Sequence, residues 1–184
     1  FGIDGGVSTM MGASFVNPEK IFIGIFGDLA FFYDMNVVGN RHVGNNVRIL
    51  LINNGKGNEF RNYYHPCSFL GDEADKYVAA AGHFGNKSSC LVRDYANDLG
   101  YEYLTAKNKQ EFNDVVSVFL QKGITTKPLL FEVFTETQNE SDALKMVLTA
   151  MVDANVALKK KVKKAIETVI GETGLNTIRK VLNK

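Results

Sequence analysis

The sequence predicts an α/β protein: a three-layer parallel sheet with helices on both faces, followed by a helical C-terminal extension. Three observations carry that expectation. The apolar runs Lys20–Phe26 (KIFIGIF), Val47–Ile52 (VRILLI) and Leu129–Phe134 (LLFEVF) are too short for helices and rich in β-branched and aromatic residues. The first two end in turn-forming residues, Gly27-Asp28 and Asn53-Asn54-Gly55. Between the runs lie segments with helical spacing and helical end signals, the alternation expected of a parallel sheet.

The first run reads as a strand buried on both faces and closed by Gly27-Asp28. From Leu29 to about Val43 there is no proline, and Phe32, Met35, Asn36 and Val38 fall in a helix-like pattern before the second strand. A strand-helix-strand unit of this kind is almost always right-handed, which brings Asp28 and Asn54 to one rim of the sheet. Gly55 to Asn62 is polar and glycine-rich, the stretch on to Gly71 carries Tyr63, Tyr64, His65 and Pro66, and the whole reads as a long functional loop. Asp72–Gly82 has acidic residues in its first turn and a closing glycine, a helix signature. Ser88–Leu99 reads as a helix capped by Ser88 or Ser89 and closed by Gly100. Tyr101–Thr105 follows as a strand, Lys109–Gln121 as a helix ended by Gly123, and then the third apolar run.

Beyond Thr135 the pattern changes. Ser141 is placed to cap a helix in which Leu144, Val147, Leu148, Met151 and Val152 recur at three- and four-residue steps. Val156, Val162, Ala165, Ile166, Val169 and Ile170 extend the stripe until Gly171 and Gly174. Leu175, Ile178, Val181 and Leu182 mark a last short helix. The expected division is residues 1–140 as the sheet domain and 141–184 as the extension, packed on that domain or on a partner.

Composition is that of a globular protein: 184 residues, 45% hydrophobic, 22% charged, net charge +1. Residues 154 to 184 alone carry +6, which leaves −5 for the rest. Without aromatic residues for base stacking, the basic tail reads as a solvated or partner-facing helix surface rather than a nucleic-acid site. Cys67 and Cys90 form no disulfide framework or metal spacing and read as small buried residues. His42, His65 and His83 have no spacing that makes a zinc site or a triad. No apolar stretch of about 18 residues suggests a membrane span, and no signal peptide begins at Phe1; the expected setting is cytoplasmic.

The rim residues have chemistry in common. Gly27 lets the backbone approach a diphosphate, the N–H groups of Leu29 and Ala30 are placed to point at it, and Asp28 supplies an anionic oxygen to a hard cation. Asn54 adds a neutral oxygen where a second carboxylate would repel phosphate. Taken singly, Gly-Asp and Asn-Asn-Gly are ordinary turns; on consecutive strands of one unit they make a candidate site for phosphate and its metal.

Gly2-Ile3-Asp4-Gly5, Ser8-Thr9, Gly27-Asp28-Leu29-Ala30, Tyr33-Asp34-Met35-Asn36 and Asn53-Asn54 together resemble the diphosphate-binding domain of the thiamine-diphosphate decarboxylase superfamily. Within it the pattern is most similar to the succinyl-enolpyruvyl-hydroxycyclohexene-carboxylate synthases of menaquinone biosynthesis, which share Leu after Gly-Asp. The likeness is strong from Gly2 to about Phe60 and weaker to about Val152.

The resemblance implies cofactors and residue roles. Thiamine diphosphate and Mg²⁺ would be held by Gly2, Ile3, Asp4, Gly27, Asp28, Leu29, Ala30, Asn54, Lys56 and Gly57. The metal ligands would be Asp28, Asn54 and the Lys56 backbone carbonyl, and Ile3 would be the apolar wedge that bends the cofactor; periodicity alone would make Ile3 core. Glu59 and Phe60 would border the substrate pocket, with Glu59 replacing an apolar residue. Lys56 replaces a glycine, which a positive φ would not tolerate.

By the same resemblance, the reaction is decarboxylation of a 2-oxo acid with transfer of the resulting carbanion to an acceptor. The activating glutamate belongs to a separate pyrimidine-binding domain of the same or another subunit, so no catalytic residue is expected in this chain, which would be inactive alone. The chain thus reads as a fragment truncated at the N-terminus of its domain, from a homodimer or homotetramer. Two alternatives stand beside it: a natural subunit of a split 2-oxo-acid decarboxylase or oxidoreductase, and a non-catalytic α/β interaction module with a basic helical tail.

Overall fold

Four parallel strands form one sheet in the order β1–β2–β4–β3, where β1 is Phe22–Gly27, β2 Val47–Asn53, β3 Glu102–Ala106 and β4 Leu129–Phe134. The computed structural model describes residues 3–62, 65–76, 88–150, 156, 158 and 159. The chain divides into two compact units, Phe1–Ser141 and Asp142–Lys184.

Helix α1 is Gly6–Val16, α2 Asp28–Asp34, α3 Leu91–Asp98 and α4 Lys109–Phe119. Strand alternation sends Val47, Ile49 and Leu51 of β2 to one face, where they pack with Val7 and Met11 of α1, Phe31 of α2 and Val92 and Ala96 of α3. On the other face Leu50, Leu129 and Phe131 meet Phe112, Val116 and Phe119 of α4. The steps from β1 to β2 and β2 to β3 run one way across the sheet, and the step from β3 back to β4 runs the other. Right-handed crossovers therefore put α4 on the opposite face, completing three layers.

The strand expectations hold within two residues, except that β1 is not buried on both faces. Ile23 and Ile25 are 48% and 68% exposed. β1 is an edge strand, and among the described residues no helix covers that side of it.

The helices differ more. α2 gives way after Asp34 to a 3₁₀ turn, Met35–Gly39, so the segment expected as one helix to Val43 is two short pieces. α3 begins three residues later than expected and has no side-chain cap. The long loop contains 3₁₀ turns at Asn58–Arg61 and Ser68–Lys76, the second kinked at Gly71; the helix expected over 72–82 is 3₁₀ to Lys76, and its remainder lies outside the described residues. Residues 137–141 are already helical, so Ser141 is no N-cap; it is buried, and its hydroxyl donates to Asn62 Oδ1 at 3.4 Å.

In the second unit, residues 142–150, 156, 158 and 159 are helical. The rest of the apolar stripe and the basic tail beyond Lys159 lie outside the described residues. Among the described residues no helix is long and apolar enough to cross a membrane.

Candidate functional site at the carboxyl rim of β1 and β2

Gly27 pairs in register with Ile52, so Asp28 emerges beside Asn53 and Asn54. Asp28 opens α2 and is 1% exposed. Its Oδ1 accepts the Leu29 N–H at 2.7 Å. That bond corrects the expectation that this N–H is presented to a ligand: Asp28 itself takes it. A Cβ added at Gly27 would meet nothing within 4 Å, so the space over the strand end is open.

The β2 end is tied from two sides. Asn53 Nδ2 donates to Glu132 Oε1 at 2.7 Å, while its Oδ1 accepts the Gly55 N–H at 3.1 Å. Gly55 has φ 78°, the left-handed conformation that makes glycine necessary in this turn. Asn54 repeats the arrangement: Nδ2 donates to Glu140 Oε2 at 2.8 Å and Oδ1 accepts the Lys56 N–H at 2.8 Å. Among the described residues no non-glycine has positive φ, so Lys56 replaces glycine without backbone strain.

Glu132 is 1% exposed in mid-strand, and the Tyr103 hydroxyl donates to its Oε2 at 2.6 Å. Burial raises the pKa of its carboxyl above the ordinary range; the nearby charge of Asp28 adds to the rise, against the hydrogen bonds from Tyr103 and Asn53. Burial likewise raises the Tyr103 phenol. Asp28 thus stands at the rim, with the Glu132 carboxyl behind it and the Glu140 carboxyl beside Asn54.

Lys56 extends over the following loop to Asp75 Oδ2 at 3.0 Å, and Arg61 pairs with both Asp75 and Asp72. Burial pushes Asp75 up, but bonds from Arg61 and Lys56 outweigh it and hold the carboxyl below the usual range. An open cleft of about 240 Å³ lies alongside, lined by Arg61, Ser68, Gly71, Asp72, Gln138 and Ser141 among others. Gly57 has an ordinary extended conformation, Glu59 is exposed, and Phe60 is half-buried edge-to-face against His65 with ring centroids 5.0 Å apart.

At the N-terminal side, Ile3 is 41% exposed and so is not core; Asp4 is exposed, Ala30 lies in α2, and Gly2 lies outside the described residues. The loop carrying Ile3 and Asp4 enters α1 through Gly5, and Asp34 at the end of α2 accepts both the N–H and the hydroxyl of Ser8. That contact ties the start of α1, just after Ile3 and Asp4, to the end of the helix that Asp28 opens.

Other candidates add nothing. His42 Nε2 accepts from Arg41 and His65 Nδ1 accepts the Cys67 N–H; Tyr63, Tyr64 and His83 lie outside the described residues. Cys67 and Cys90 are half-exposed free thiols rather than buried ones. Among the described residues no group of three or more His, Cys, Asp or Glu could hold a metal. A cavity of about 320 Å³ opens at the opposite rim of the sheet, beside Asn40, Arg41, Tyr101 and Pro128, remote from Asp28.

Sequence reasoning missed Glu132, Tyr103 and Glu140. The signal for the first was in view: a carboxylate in the middle of an apolar strand needs a buried partner.

The chain is 33% identical over 144 residues to 2-succinyl-5-enolpyruvyl-6-hydroxy-3-cyclohexene-1-carboxylate synthase of Bacteroides fragilis, over 78% of this chain and 24% of that one. The protein of the same name from Bacteroides thetaiotaomicron is 33% identical over the same shares, and that of Christiangramia forsetii 34% identical over 78% of this chain and 23% of its own. The chain spans about a quarter of the length of these curated relatives. No family model matches it.

Proposed function

We propose that this chain, similar to about a quarter of those synthases, is the diphosphate- and Mg²⁺-binding part of a thiamine-diphosphate enzyme that decarboxylates a 2-oxo acid and transfers the product carbanion to an acceptor. The observation that carries the reading is the joint emergence of buried Asp28 and the Asn54 turn on neighbouring strand ends, beside the open space at Gly27.

The donor set fits the group. Asp28, the Asn54 side-chain oxygen and the Lys56 carbonyl are all oxygen ligands, suited to a hard cation. They include one carboxylate only, so a cation here takes its remaining oxygens from a ligand such as diphosphate. Bound thiamine diphosphate would supply the carbon nucleophile and the electron sink for decarboxylation.

The chain's own residues act by binding and orientation. Asp28 would offset one of the two charges of the cation, Gly27 would leave room for the diphosphate, and exposed Ile3 would offer an apolar surface to the body of the cofactor. Lys56 and Arg61, both drawn to Asp75, give the adjoining loop cations that an anionic substrate can recruit. A second, pyrimidine-binding domain and a homo-oligomeric assembly belong to the same proposal, as does a cytoplasmic setting.

The test is calorimetric titration of the complete protein with thiamine diphosphate at saturating Mg²⁺. Asp28→Ala should abolish binding, and unchanged affinity in that variant rejects the reading. This chain alone should show no turnover; turnover by it would reject the need for a separate domain.

A further inference from the structure

A carboxamide is ambiguous in direction. Its NH₂ and C=O are nearly equal in size, and only its neighbours determine which of them a cation meets. At Asn54 the neighbours are unequivocal. The Glu140 carboxylate, 2.8 Å from Nδ2, can only accept, and the Lys56 N–H, 2.8 Å from Oδ1, can only donate. Reversing the amide would set acceptor against acceptor and donor against donor.

Glu140 is itself held in place. Its Oε2 also accepts from Asn58 Nδ2 at 2.7 Å, and its Oε1 accepts from the Thr135 hydroxyl. Thr135 in turn donates its backbone N–H to the Asn53 carbonyl at 3.0 Å, which joins the end of β4 to the end of β2. Asn58 Nδ2 lies 3.4 Å from the Thr137 carbonyl, which keeps that amide turned toward Glu140. Three donors thus converge on one carboxylate.

Resting on the reading that Asn54 offers oxygen to a cation, we propose that Glu140 is the positioning residue of the metal site: by engaging the Asn54 NH₂ group, it keeps Oδ1 turned to the cation. Glu140 does not touch the metal. An amide oxygen has two lone pairs, so Oδ1 keeps one for the cation while the other accepts from Lys56. Partners behind a ligand of this kind typically change metal affinity by about 10–100-fold when removed.

The experiment measures Mn²⁺ affinity of the complete protein by electron paramagnetic resonance, with thiamine diphosphate present, for Glu140→Gln, Asn54→Asp, the double variant and Asp28→Ala. In Glu140→Gln the charge that strengthens the bond is lost and the amide holds Asn54 in only one of its two orientations, so the Asn54 carboxamide is freed to turn and Mn²⁺ binding should weaken about 10–100-fold. Aspartate has no wrong way round. In the double variant the carboxylate introduced by Asn54→Asp accepts from the NH₂ introduced by Glu140→Gln and still presents oxygen. Affinity should then return toward that of the parent, whereas Asn54→Asp alone leaves two carboxylates facing each other.

A residue that merely braced the loop would give no such rescue. Mn²⁺ affinity of Glu140→Gln within about twofold of the parent, or loss that Asn54→Asp does not relieve, overturns the proposal while Asp28→Ala still abolishes binding. Unchanged binding in Asp28→Ala overturns the cation reading itself. If Glu140→Gln alone does not fold, the comparison of the double variant with Asn54→Asp decides: higher affinity in the double variant supports the proposal, and equal affinity overturns it.

Discussion

The Asp34 carboxylate accepts the backbone N–H of Ser8 at 2.6 Å and its hydroxyl at 2.5 Å. A side chain at the end of α2 thereby satisfies the first turn of α1, and an anion sits where that helix has unpaired donors. Asp34→Ala should destabilise the protein by about 2–3 kcal/mol, because it leaves a half-buried N–H unsatisfied. Ser8→Ala removes only the hydroxyl bond and should cost about 1 kcal/mol. Urea unfolding of both single variants and the double variant measures the coupling; additive effects would mean that the two residues do not act as a unit.

The strands were legible because short apolar runs with polar ends allow little else in an α/β chain. Helix α1 was not: Gly6, Ser8, Thr9, Gly12 and Ser14 dilute its apolar pattern, and its cap comes from Asp34, which no local rule would find. The rim residues Asp28 and Asn54 were legible from their place at strand ends. Glu140 was not, since it lies in a polar run that gains meaning only when β4 is set beside β2. Arg48 is similar, a cation in a buried strand whose partners are 71 to 75 residues away.

Glu132 should make stability depend on pH. Its folded pKa is raised, mainly by burial, so its favourable contribution is complete below the ordinary carboxylate pKa and is lost as pH rises through the raised value. Glu132→Gln removes that slope. It should be near neutral at acid pH, where the protonated carboxyl and the amide alike offer one carbonyl oxygen and one donor to Asn53 and Tyr103, and the variant should gain on the parent as pH rises. Unfolding free energies of the cofactor-free protein from about pH 4 to 8 give the comparison; parallel curves for parent and variant would count against it.

Arg48 should matter to the fold and not to the rim. It is 1% exposed and donates to the carbonyls of Phe119, Gln121 and Gly123 at 2.7, 2.8 and 2.6 Å, where α4 ends. Arg48→Ala strands three carbonyls and leaves a void, and should cost about 3 kcal/mol or more. Lysine has no planar fork, so Arg48→Lys should recover part of that loss only. Equal stability of the two variants in denaturant titration would mean that the fork geometry is immaterial.

Asp75 links the rim to the loop over residues 58–76 through Lys56 and Arg61. Burial raises its pKa, but the bonds from Arg61 and Lys56 prevail and the net shift is downward. Its contribution is therefore present above the ordinary aspartate range and is lost as pH falls through the depressed value. The group is 31% exposed, so the effect on global stability should stay below about 1 kcal/mol. The local effect should be larger, since one carboxylate holds both Lys56 at the rim and Arg61 in the loop. Asp75→Asn should speed amide hydrogen exchange across residues 58–76 while leaving the strands unchanged, and should abolish the loop opening expected of the parent as pH falls through the depressed Asp75 value. Unaltered exchange in the loop would mean that backbone turns hold it, and that Lys56 is already free to meet an anionic ligand.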